Sequence, residues 1–159
     1  MRQQHPQSGS WSDGLARRVA PRAAGLLGLG VAGHLISWVV ASRDQSGGAN
    51  VGVGLLLLGA LALTAGAWGA RDGLRAARVE ESLVPGLVCW AVVALVVGAG
   101  LPLLGAAVGA LAGGGFSGAV LLRDLLLGAP FLLLLVGVPA HGALAGCYAA
   151  VRSRAGRAA

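Results

Sequence analysis

Apolar and small residues fill this chain in long blocks, and the charged residues fall between the blocks. Four stretches carry no charge at all: Ala23–Ser42, Gln45–Ala70, Ser82–Leu122 and Leu125–Val151. Each can hold the ~20 apolar residues a helix needs to cross ~30 Å of hydrocarbon. The pattern predicts an all-α fold, an integral membrane bundle of four transmembrane helices over about residues 23–41, 51–70, 85–112 and 125–151. A basic tail of residues 1–22 precedes the membrane domain of residues 23–151, and a second basic tail, residues 152–159, follows it.

The third charge-free stretch is 41 residues long and admits a five-span reading with a turn at Gly100-Leu101-Pro102. Arginine placement favours four. Positive residues near span ends stay in the cytoplasm, and four spans with both termini inside put ten arginines in the cytoplasm and two, Arg43 and Arg123, outside. Five spans reduce the split to eight and four. On the four-span reading the third helix starts near Pro85, kinks at Pro102 and frays over residues 113–115, because a proline inside a helix frees a carbonyl.

Trp38 falls at an outer span end, and Trp68 and Tyr148 at inner ends, as interfacial aromatic belts do. Trp11, Leu15 and Val19 recur every four residues beside Arg17, Arg18 and Arg22, which predicts a short basic helix lying on the inner leaflet. A similar surface helix is expected outside, around Arg123-Asp124. The first span reads as an uncleaved signal anchor, although Val39-Val40-Ala41 has the small residues of a cleavage site.

Composition agrees with a lipid environment: 56% of residues are hydrophobic and 11% charged, against roughly a quarter charged in globular domains. The net charge of +6 comes wholly from arginine. Because the arginines flank spans and form no stripe, the expected partners are anionic lipid headgroups and not nucleic acid. The absence of lysine fits GC-rich coding, hence a bacterial inner membrane.

Many of the 28 glycines lie inside the apolar runs. Small residues four apart share a helix face and let a neighbouring helix approach closely. Gly105, Gly109 and Gly113 form such a stripe in span three, as do Gly142, Gly146 and Ala150 in span four, Ala62, Gly66 and Ala70 in span two, and Ala24, Gly28 and Ala32 in span one. These are expected to pack the bundle, with a homo-oligomer face as the alternative. Gly28, Gly30 and Gly33 spell the dinucleotide pattern GxGxxG, but no strand precedes them and no acid stands at the required distance.

Candidate chemistry is sparse. No Asp, Glu or Arg lies in a span core, and the remaining polar groups do not assemble a nucleophile, base and acid. Cys89 and Cys147 read as fillers near cytoplasmic span ends. His34 and His141 are the notable pair: their depths differ by roughly 9 Å at 1.5 Å per residue, so they can meet if spans one and four are neighbours. The preferred reading is two neutral histidines bonded to backbone carbonyls, with no metal, haem or other cofactor. Length and span count resemble small four-span drug exporters, but those depend on a carboxylate in span one, where this chain holds only His34. The expectation is a non-enzymatic packing or accessory subunit of a membrane assembly. The alternative is a small transporter or channel with His34 and His141 lining the path.

Overall fold

The computed structural model describes residues 11–43, 48–111 and 115–158. The described residues are all helical apart from short connections: α1 Trp11–Ala41, α2 Gly48–Arg78, α3 Val84–Gly109, α4 Gly118–Arg123 and α5 Ala129–Ala158. Four helical stretches are long and apolar enough to cross a membrane: Asp13–Val40, Val51–Arg78, Val84–Gly109 and Gly118–Arg157.

Helix boundaries differ from the expected ones in instructive ways. The stretch expected to be a separate surface helix is the beginning of α1, which continues through Pro21 without a break. Leu15 and Val19 pack against the core, which ties that first segment to the bundle. Residues 71–78 extend α2, so the connection to α3 shrinks to residues 79–83. There the Glu81 N–H donates to the Ala76 carbonyl at 3.1 Å, and Glu80 adopts a left-handed φ of 55°. This six-to-one bond over a left-handed residue is the Schellman stop, with glutamate where glycine is usual. Pro85 then starts α3, since a missing N–H costs nothing in a first helical turn.

α3 continues as a helix through Gly100-Leu101-Pro102, which removes the turn required by five spans. The helix expected outside around Arg123-Asp124 is no isolated element either. α4 passes through a π-helical stretch, Asp124–Gly128, directly into α5. The Ala129 N–H reaches back five residues to the Asp124 carbonyl. Pro130, which lacks an N–H, follows at once, and a widened turn accommodates the missing bond.

In cross-section the long helices form a square. α1 packs on α2 and α3, and α5 packs on the same two helices; among the described residues α1 and α5 are not in contact. The thin core between them is built around Leu26, Leu61, Trp90, Val93, Val97, Val136 and Leu144. Large apolar side chains such as Leu56, Leu63 and Leu127 cover the outside, as suits a lipid solvent. Arg22 near the start of α1 meets Asp72 near the end of α2, and Leu144 of α5 lies against Gly73 and Gly86. One end of the bundle therefore collects the start of α1, the end of α2, the start of α3 and the end of α5, and with them most of the arginines.

The close helix contacts are not where the glycine stripes were expected. A Cβ added at Gly105, Gly109, Gly142 or Gly146 would meet nothing within 4 Å, and Gly113 lies outside the described residues. Ala24, Gly28 and Ala32 are also exposed. The real seam is Ala65, Gly69, Gly73 and Ala77, one position away from the expected Ala62-Gly66-Ala70 stripe and buried along its length. A Cβ at Gly69 would collide with the Ala140 carbonyl, and one at Gly73 with the Leu144 carbonyl, so the α2 and α5 backbones touch. Lipid accepts glycine and alanine as readily as a helix neighbour does, so small residues mark more faces than are packed.

Candidate functional site: an arginine-lined cavity at one end of the bundle

The densest polar constellation joins three helices. α1 supplies Arg22, one turn beyond Arg18; α2 supplies Asp72; α3 supplies Trp90. The Arg22 guanidinium grips the carboxylate side-on, with Nε to Oδ2 at 3.1 Å, Nη2 to Oδ1 at 2.7 Å and Nη2 to Oδ2 at 2.8 Å. Trp90 Nε1 donates to the same Oδ2 at 3.0 Å, and its indole also lies 5.9 Å from the Arg22 guanidinium carbon. Arg22 Nη1 donates to the Arg18 carbonyl. Both charged side chains are only 22% exposed, so removing one partner costs more than breaking a surface bridge. Trp90 is fully buried and needs a partner for its N–H; Asp72 provides it.

Beside this lock opens a cavity of about 280 Å³. Arg17, Arg18, Arg22 and Arg75 line it with Asp72 and Glu81, and Leu83, Gly86, Cys89 and Leu144 complete the wall. Arg18 Nη2 stands 3.9 Å from Glu81 Oε1, and both side chains are about half exposed; such a pair contributes little. Arg17 and Arg75 make no ion pair among the described residues. On the other side of the lock a wider groove of about 720 Å³ is lined by Arg71, Arg75, Arg78 and Trp68, the mixture of cation and indole found where helices meet headgroups.

The two histidines are not brought together. His141 bridges α5 and α3, with Nδ1 at 2.7 Å from the Gly137 carbonyl and Nε2 at 3.1 Å from the Leu87 carbonyl. A neutral ring has one N–H and donates to one of the two. The carbonyl bonding expected for the histidines is therefore found at His141. His34 is exposed on α1 and borders an apolar cleft of about 200 Å³ with Leu57, Leu101 and Gly105. Measured on α3, Leu87 and Leu101 are roughly 20 Å apart along the axis. α1 and α5 are also diagonal in the square, so the expectation that the pair can meet is corrected on both counts.

Asp72 escaped the sequence reading because it follows Arg71 at the edge of a charge-free stretch and looked like part of a connecting loop. One signal was available. Asp72 lies one residue from Gly73, on the α2 face continuing Ala65 and Gly69, and a carboxylate on a packed face calls for a partner. Comparison with family models, with curated proteins and with solved structures found no match.

Proposed function

We propose that this chain is a multi-pass inner-membrane protein of a bacterium, with both termini cytoplasmic, that acts as a non-enzymatic subunit of a membrane assembly. The observation that carries the reading is the exposed small-residue face of α5. Gly142 and Gly146 are exposed and leave open space where a Cβ would sit, as does the half-buried Gly109 on α3, while Gly105 lines the cleft beside His34 and other glycines make the contacts within the bundle. Smooth faces of this kind admit another helix at close range, either from a second copy or from a different membrane subunit. The arginine-rich end faces the cytoplasmic leaflet, by the bias that holds positive residues inside.

Purification in mild detergent with quantification of co-eluting chains tests this. Association through these faces should be lost in Gly109→Leu or Gly146→Leu while the monomer stays folded. Variants that keep the same elution volume and co-eluting chains as the parent would refute it. The transport reading relied on a histidine pair, and the separation of His34 from His141 leaves it without geometric support.

A further inference from the structure

We propose that the cavity beside the Arg22–Asp72 lock is a binding site for a phosphate-bearing anion, and that the headgroup of an anionic phospholipid is its occupant. Charge is the first reason. Four guanidinium groups, Arg17, Arg18, Arg22 and Arg75, share the wall with two carboxylates, Asp72 and Glu81. The lock consumes Arg22 against Asp72, and the long Arg18–Glu81 approach of 3.9 Å leaves both groups half exposed. Arg17 and Arg75 remain to present planar donor forks, the geometry that suits phosphate oxygens.

Shape is the second reason. Most of the surface that the cavity exposes is polar, and Leu144 and Cys89 behind it are closed off, at 1% and 2% exposed. A phosphate headgroup matches such a wall, and its acyl chains would stay outside, among the lipid. A volume of about 280 Å³ lies just below the ~300–1,000 Å³ typical of ligand pockets, so it admits a headgroup and not a whole lipid. Rigidity is the third. Asp72, held by Arg22 and Trp90, fixes α1, α2 and α3 around the opening, so little ordering remains to oppose binding.

The site needs the arginine end to lie at a leaflet, but it is independent of what the outward glycine faces dock against. Native mass spectrometry of the detergent-purified protein, titrated separately with phosphatidylglycerol, phosphatidylcholine and glycerol 3-phosphate, tests it. Phosphatidylglycerol should form one saturable adduct. Each charged hydrogen bond is worth enough that removing both arginines outside the ion pairs of the described residues, in Arg17→Gln with Arg75→Gln, should weaken that adduct at least about tenfold. Ala76→Phe, which blocks the cavity and keeps every arginine, should weaken it similarly. Arg152→Gln with Arg154→Gln, at the same end but outside the cavity, should leave it unchanged. If glycerol 3-phosphate binds with the same arginine dependence and the lipid does not, a lipid occupant is overturned in favour of a soluble phosphate ester. Equal weakening by the cavity pair and the Arg152/Arg154 pair, or no preference over phosphatidylcholine, would overturn the site altogether.

Discussion

Arg22 and Asp72, fifty residues apart in the chain, are joined by hydrogen bonds from Nε and Nη2 to both carboxylate oxygens. Removing Asp72 leaves the partly buried Arg22 charge alone and also strips the Trp90 N–H of its acceptor. Asp72→Ala should therefore lower unfolding stability in detergent by ~2 kcal/mol, less than the 3–5 kcal/mol of a fully buried pair. Arg22→Lys retains the charge without the fork and should cost ~1 kcal/mol. Glu81→Gln, which breaks only the half-exposed contact with Arg18, should stay within ~0.5 kcal/mol of the parent. Equal melting curves for Asp72→Ala and Glu81→Gln would show that the lock carries no stability.

Glycine substitutions separate the packed seam from the outward stripes. Gly73→Leu forces a side chain into the α5 backbone at Leu144 and should destabilise the purified monomer by at least the ~1–3 kcal/mol typical of overpacking. Gly109→Leu enters open space and should leave monomer stability within ~0.5 kcal/mol. Thermal unfolding of the two variants side by side checks this, and a reversed order would mean the helices pair differently.

The two histidines should respond differently to substitution. His141→Leu removes a polar contact between α5 and α3 and should cost ~1 kcal/mol, in line with interhelical hydrogen bonds measured in membranes. His141→Gln keeps one donor and should recover part of that. His34, exposed beside an apolar cleft, should tolerate leucine without loss. A larger penalty at His34 than at His141, read from the same melts, would contradict the placement of both rings.

At the turn between α2 and α3, Glu80 holds a left-handed conformation that favours glycine. Glu80→Gly should stabilise the protein by up to ~1 kcal/mol, because the strain of a side chain at positive φ disappears. A drop in melting temperature would show instead that the Glu80 side chain makes a contact worth more than the strain.

The charge-free blocks already contained the count of long apolar helices, because a helix able to cross hydrocarbon must be long and apolar together. Arginine spacing likewise separated four helices from five, and the unbroken helix through Pro102 agrees. What the sequence hid was which face each helix buries. Ala65, Gly69, Gly73 and Ala77 differ from Ala62, Gly66 and Ala70 only in register, and in an apolar solvent no polar side marks the outside. Helix adjacency was hidden too, since α1 and α5 occupying opposite corners follows from packing and not from chain order. That is why His34 and His141 looked like a pair. Asp72 was overlooked because a lone acid at a span edge has the appearance of a solvated loop residue until Arg22 and Trp90 are seen against it.

Cysteine labelling of intact cells with a membrane-impermeant maleimide, in a background carrying Cys89→Ser and Cys147→Ser, tests the threading most directly. Single cysteines at Ser42, Ser82, Ser117 and Ser153 report on the two ends of the bundle. Ser42→Cys and Ser117→Cys should be labelled from outside, while Ser82→Cys and Ser153→Cys react only after the membrane is permeabilised. Labelling of Ser153→Cys in intact cells, or a different response at Ser82 and Ser153, would contradict four spans with the arginine-rich end in the cytoplasm.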